Sequence, residues 1–313
     1  SSTTASACSS SPEASTPHPT LNSEEPRYHA FFLRASRALR DPERRHQNAS
    51  MGHAVSTDLQ QWTLLPDAVV HTDGPAFDDK AIWTGSAVMK PDGGMRVFYT
   101  GISRAEAGAV QRIGWVDSYD GVVFERATSE PLTADARWYQ KWNPAYPYDE
   151  AWRDPYVFRD EGRWHMLVTA RGKGASIRRS GVVGHAVSDD LDHWEVLEPL
   201  SSPDVPFGQI EVMQSRCVDG QHYLVFSCGQ DMQALPGAGG VWVALGDSAL
   251  GPWDIANARY VAPETVYAGQ LFQDRLGRWR LGGFELDDQG GFVGGIMTPR
   301  LWKEVELLSR PLG

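Results

Sequence analysis

Cysteine is nearly absent from this sequence: Cys8, Cys217 and Cys228 are the only three in 313 residues. Three cannot build a disulfide framework, and neither a Cys-x-x-Cys pair nor a Cys/His zinc spacing occurs. Cys217 and Cys228 sit unevenly about the Asp219-Gly220 turn, which disfavours direct pairing across a hairpin. Long apolar runs are missing as well. No stretch approaches the roughly 20 apolar residues that cross a bilayer, so no membrane partner is expected. No sustained apolar stripe at helical period appears either, which argues against a helical bundle. Positive charge is scarce: 29 Lys and Arg against 40 Asp and Glu leave a net charge of -11. Nucleic acid rewards clustered cations and is not an expected partner. A small, neutral carbohydrate suits such a chain better.

Aromatics and glycine are plentiful. Twelve Trp and 31 Gly in a chain that is 41% hydrophobic point to many turns between aromatic-filled sheets. One pattern recurs: an apolar strand, a tight acidic or glycine turn, then a strand rich in aromatics. It occupies residues 86–99, 155–167, 214–226 and 269–281, with a weaker copy leading into Tyr28. Asp-Gly and Glu-Gly suit hairpin turns because glycine tolerates positive φ. A second element follows each hairpin. Residues 52–62 and 184–194 both open Gly-His-Ala-Val-Ser and close on Trp62 and Trp194, with looser copies at 114–121 and 243–253. Each reads as a third strand, a polar turn, and a Trp that starts an outer fourth strand. The predicted fold is all-β: a five-bladed β-propeller with about four antiparallel strands per blade. Residues 1–20, rich in Ser, Thr, Ala and Pro, read as a tail or an atypical start of blade 1; they lack the apolar core of a signal peptide, and the compartment stays open. The propeller domain is assigned to residues 21–313.

In a propeller the innermost strands run along the axis, so polar residues at one end of them converge. The positions before each hairpin hold Trp83 in the second blade, Arg153-Asp154-Pro155 in the third, Glu211 in the fourth and Tyr267 in the fifth. Two carboxylates, an arginine and two aromatics facing one funnel suit the gripping and cleaving of a sugar. The bland alternative is a pair of structural ion pairs, Arg153 with Asp154 and Glu211 with Arg216. Asp78 and Asp79 precede Trp83 in a Gly/Pro-rich loop and either rim the pocket or decorate a solvated turn. His53 and His185, in the two Gly-His-Ala-Val-Ser copies, read as blade packing.

At residues 48–62, Trp83-Thr84-Gly85-Ser86 and Trp152-Arg153-Asp154-Pro155, the chain resembles the fructofuranosidase-type glycoside hydrolases of families 32 and 68. Family 43, with its arabinanases and xylosidases, shares the five-bladed fold. The resemblance runs from about Tyr28 to about Phe284. It implies that Asp154 holds sugar hydroxyls and stabilises the transition state, with Arg153 as a substrate-binding neighbour. Glu211 is then the general acid/base, followed by Val212 where the family usually has Cys, Arg or another polar residue. Trp83 and Thr84 line the sugar subsite, and His46 falls where many members place an aromatic. The implied activity is retaining hydrolysis or transfer at a β-fructofuranoside of the sucrose or fructan type. A sugar-binding propeller without turnover and an arabinofuranoside- or xyloside-acting relative are the alternatives. The chemistry requires no cofactor or metal.

The family's aspartate nucleophile, on the innermost strand of the first blade, has no counterpart. Counting back from Tyr28 by the offset seen in the third blade lands on His18. Three readings stay open: a sugar binder that lost its nucleophile, substitution by Asp79 or Asp78, or an N-terminus that does not represent the native first blade.

Overall fold

A computed structural model describes residues 27–145, 148–237, 239–263, 265–288, 291–306 and 310–311. Five antiparallel sheets are arranged as a five-bladed propeller. The first holds β1 (Tyr28–Arg34), β2 (Ser50–Ser56) and β3 (Thr63–Val69). The second runs β4 (Ala81–Met89), β5 (Met95–Ile102), β6 (Gln111–Ser118) and β7 (Glu125–Arg126). The third holds β8 (Trp152–Asp160), β9 (Arg163–Arg171), β10 (Gly181–Ser188) and β11 (Glu195–Leu197). In the fourth come β12 (Glu211–Val218), β13 (Gln221–Cys228), β14 (Gly240–Gly246) and β15 (Arg259–Pro263). The fifth contains β16 (Val266–Gln273), β17 (Trp279–Asp288) and β18 (Gly291–Ile296). After it, β19 (Arg300–Leu301) pairs with β17, a short α1 (Trp302–Glu306) follows, and β20 (Arg310–Pro311) pairs with β15. No helix among the described residues is long and apolar enough to cross a membrane.

The repeats become hairpins of the expected register. Glu161-Gly162 and Asp219-Gly220 turn with all four residues at positive φ, the geometry that matches strand twist. The polar turn between third and fourth strands is built alike in three blades. Ser56, Ser118 and Ser188 each accept an amide three residues on with Oγ, at 2.9 Å, while Asp58, Asp120 and Asp190 accept two further amides each. An Asp or Ser side chain thus replaces the backbone partner that a turn lacks.

Tryptophan and other large side chains fill the wedges between blades. Phe98, Trp115, Trp152 and Trp164 pack between the second and third blades; Phe207, Phe226 and Trp242 pack between the third and fourth. Leu271, Leu281 and Trp302 join the fourth to the fifth, and Met51, Ile82 and Tyr99 join the first to the second. Each such side chain contributes on the order of 2 kcal/mol by leaving water. Between the fifth and first blades, Arg275 donates its backbone amide to the Tyr28 hydroxyl at 2.7 Å, and Arg45 lies 4.9 Å over the Phe292 ring. Cys217 is disulfide-bonded, and the buried Cys228 thiol donates to the Gly229 carbonyl at 3.5 Å.

Candidate active site

The innermost strands of four blades share one irregularity. Each pairs regularly with its neighbour until Trp83, Arg153, Glu211 or Tyr267, where one extra residue is inserted as a β-bulge. These four residues occupy the same register, opposite Thr100, Thr169, Ser227 and Phe284. The residue after three of them is left-handed although none is glycine: Asp154 at φ 56°, Val212 at 48° and Ala268 at 52°. In the second blade the insertion uses Gly85 instead, where a Cβ would lie 1.8 Å from the Phe98 carbonyl oxygen. A bulge bends the strand and re-aims its side chains, and bulges concentrate beside functional sites.

Hydroxyls on the second strands pin one blade to the next at this level. Thr100 Oγ1 accepts the Asp154 amide at 2.9 Å, and Ser227 Oγ accepts the Ala268 amide at 3.0 Å. Thr169 Oγ1 reaches both Asp154 Oδ2 and the Ile210 carbonyl, each at 2.9 Å. Repetition of Thr, Thr and Ser at one register of the second strands is a signal that sequence reading passed over.

Asp154 is buried, with Thr84 Oγ1 donating to Oδ1 and the Val212 amide donating to Oδ2 at 3.2 Å. Burial raises its pKa above the ordinary carboxylate value; the charge of Arg153 pulls the other way and that of Glu211 adds to the rise. Arg153 reaches Glu211 Oε1 with Nε at 3.2 Å and Nη2 at 2.5 Å, and its Nε lies 3.7 Å from Asp154 Oδ2. One guanidinium therefore links the two acids from adjacent blades. Tyr267 donates its hydroxyl to Glu211 Oε2. The Tyr267 phenol is pushed well above its usual value, first by burial and then by the Glu211 charge.

Trp83 donates its indole N–H to the His46 carbonyl at 2.6 Å, which joins the second blade to the β1–β2 connection. The His46 ring is lowered in pKa by burial and by Arg45, against the opposing charges of Glu43 and Glu211. So Trp83, Thr84, Asp154, Arg153, Glu211, Tyr267 and His46 gather at one end of the inner strands. Arg216 does not pair with Glu211; it lies 5.3 Å over the Tyr156 ring.

Asp78 and Asp79 are engaged elsewhere. Asp79 Oδ1 accepts the Arg104 amide at 2.7 Å, while Asp78 takes bonds from Thr72 at 2.6 Å, Tyr99 at 2.9 Å and Arg126 at 3.1 Å. The position at His18, where the missing nucleophile was expected, lies outside the described residues. Behind Arg153 stand four polar residues that the repeats did not flag: Gln111, Asp149, Arg171 and Gln209.

A family model described as Glycosyl hydrolases family 32 N-terminal domain matches residues 20–281. The chain is 29% identical over 164 residues to a β-fructofuranosidase, insoluble isoenzyme 3, of Oryza sativa subsp. indica, covering 50% of this chain and 25% of that one. It is 26% identical over 187 residues to a sucrose-6-phosphate hydrolase of Klebsiella pneumoniae, covering 57% and 34%. The chain thus spans only a quarter to a third of the length of these curated relatives. Among solved structures, an inulosucrase from Halalkalicoccus jeotgali bound to kestose aligns with TM-score 0.65 and 25% identity, over 80% of this chain and 70% of that one. A sucrose-6-phosphate hydrolase from Lactobacillus gasseri aligns with TM-score 0.69 and 18% identity, over 88% and 56%.

Proposed function

Because the chain belongs to glycosyl hydrolase family 32, we propose that it cleaves or transfers a β-fructofuranosyl group by a retaining route, with Glu211 as acid/base and Asp154 as transition-state stabiliser. The observation that carries this reading is the Arg153 guanidinium held against Glu211 at 2.5 Å and 3.7 Å from Asp154. Two carboxyls from neighbouring blades thereby share one side of an axial site. The relatives' names, β-fructofuranosidase and sucrose-6-phosphate hydrolase, favour a fructofuranoside over an arabinofuranoside or xyloside.

In this reading Glu211 protonates the glycosidic oxygen as the bond to the anomeric carbon breaks. Asp154 holds ring hydroxyls while positive charge grows on the sugar, its place fixed by Thr84 and the Val212 amide. Arg153, Trp83 and Thr84 grip the sugar, with Tyr267 and His46 at the rim. A retaining route also needs a nucleophilic carboxylate about 5 Å from the acid. The family resemblance assigns that group to the first blade, at a position outside the described residues.

The second reading is a sugar-binding propeller without turnover. The commitment of Asp78 and Asp79 to the second blade favours it, because neither is free to replace the nucleophile. Product analysis on sucrose, a fructan and an arabinofuranoside separates the readings. Release or transfer of fructose, reduced at least about 100-fold in Glu211→Gln, is the expected outcome. Equal turnover in both proteins overturns the acid/base assignment; sugar binding without turnover favours the second reading.

A further inference from the structure

Behind the axial acids lies an unbroken chain of alternating charge. Glu211 meets Arg153 at 2.5 Å, Arg153 meets Asp149 at 3.0 Å, and Asp149 meets Arg171 at 2.7 Å. Asp149 comes from the β7–β8 connection. Its Oδ2 also accepts from the Gln111 amide at 2.5 Å, and its backbone carbonyl accepts from Arg171 at 2.7 Å. Gln209 closes the group when its amide is assigned with the oxygen towards the guanidiniums, where it accepts from Arg153 Nη2 at 2.9 Å and Arg171 Nη2 at 3.2 Å. Burial opposes the charge on Asp149, but Arg153 and Arg171 outweigh it and hold the carboxyl at about 2. Asp149 is therefore an anion across the ordinary pH range.

The charges do not balance. Arg153 and Arg171 supply two positive charges, whereas Asp149, Asp154 and Glu211 supply three negative ones when all are ionised. Both Arg153 and Asp154 are only 5% exposed, and buried surroundings disfavour an uncompensated charge. One proton taken up by the Asp154–Glu211 pair removes the surplus. A general acid needs such a proton before substrate arrives.

We propose that Asp149 is a positioning residue whose fixed negative charge divides Arg153 between two carboxylates and so retains one proton on the Asp154–Glu211 pair. The idea rests on the reading of Glu211 as the acid. Without Asp149, Arg153 compensates Glu211 fully, and the pair sheds its proton at lower pH. The other titratable groups around Glu211 are Asp154 on β8, Tyr267 on β16 and His46 on the β1–β2 connection. They remain unchanged in the charge variants below.

Two substitutions move the charge count in opposite directions. Asp149→Asn removes the surplus, and Gln209→Glu, at an acceptor already facing both guanidiniums, increases it. Carbon-13 NMR titration of the side-chain carboxyls reads the result directly and needs no turnover; the Glu211 and Asp154 signals are assigned by their loss in Glu211→Gln and Asp154→Asn. The expected midpoint for the pair falls by roughly one pH unit in Asp149→Asn and rises by a similar amount in Gln209→Glu. It returns towards the wild-type value in the double variant. The alkaline limb of kcat moves with it. Unchanged midpoints, or shifts of the same sign in both single variants, overturn the proposal, as does a loss of thermal stability with no shift. If Asp149→Asn does not fold, Gln209→Glu alone decides. Turnover in Glu211→Gln equal to wild type sinks the acid/base reading separately, whatever the midpoints do.

Discussion

At Glu211 both carboxylate oxygens are occupied, Oε1 by Arg153 and Oε2 by the Tyr267 hydroxyl. Because the phenol is pushed well above its usual value by burial and by Glu211, it stays a donor at every working pH. Tyr267→Phe deletes one hydrogen bond to a charged group and keeps the ring's packing. Such bonds contribute about 1.5–3 kcal/mol, so kcat is expected to fall roughly 10- to 100-fold with a smaller change in KM. Steady-state kinetics on a fructoside checks it; a rise in KM with kcat unchanged would make Tyr267 a sugar-binding residue only. Trp83, Arg153, Glu211 and Tyr267 were legible in the sequence because each stands at a fixed offset from a recognisable hairpin. Asp149 and Gln209 were not, for they lie in connections where the repeats do not align. Gln111 and Arg171 sit at strand ends whose role depends on being buried beside Arg153, which no local pattern encodes.

At the level of the strand, hairpins and polar turns announce themselves through residue type. Trp62 and Trp194 directly precede β3 and β11 as expected, whereas Trp253 is separated from β15 by a short 3-10 segment. The bulges do not announce themselves. A left-handed residue is usually marked by glycine or asparagine, yet Asp154, Val212 and Ala268 take positive φ without that signature. Neighbouring blades hold them there, through Thr100 for Asp154, through the Asp154 carboxylate for Val212, and through Ser227 for Ala268. Val212 is the costliest, being β-branched; the left-handed region costs an ordinary residue roughly 1–2 kcal/mol. Ala268→Gly tests this with the loss of one methyl. Relief of the backbone exceeds the added flexibility of the unfolded chain, about 0.5–1 kcal/mol. A net gain of roughly 0.5 kcal/mol is therefore expected in denaturant unfolding. If the variant is instead destabilised by as much, the positive φ at Ala268 carries no strain.

Across the whole ring, two blades share a device that the repeats hinted at without disclosing its consequence. His53 and His185, from the twin Gly-His-Ala-Val-Ser segments, are buried, and each meets a second histidine on the preceding strand. His29 Nδ1 and His53 Nε2 lie 2.9 Å apart, and His165 Nδ1 and His185 Nε2 lie 3.1 Å apart. Such a bond needs one N–H and one lone pair, so two protonated rings would set donor against donor. Burial, then the partner histidine, lowers His53 and His185 to about 4, and His29 and His165 are also lowered, chiefly by burial. All four titrate below 6.5, the value of an unfolded histidine. The unfolded chain therefore takes up protons first as pH falls, and the histidines' contribution is complete above pH 6.5 and lost progressively towards pH 4. Carboxylates weaken the fold over the same range, so a variant must isolate the effect. In His53→Gln/His185→Gln, thermal denaturation between pH 7 and pH 4 should show a smaller drop in Tm than wild type, by roughly 3–6 °C. Parallel curves for the two proteins would mean that the pairs are protonated without penalty, and that the twin segments serve packing alone.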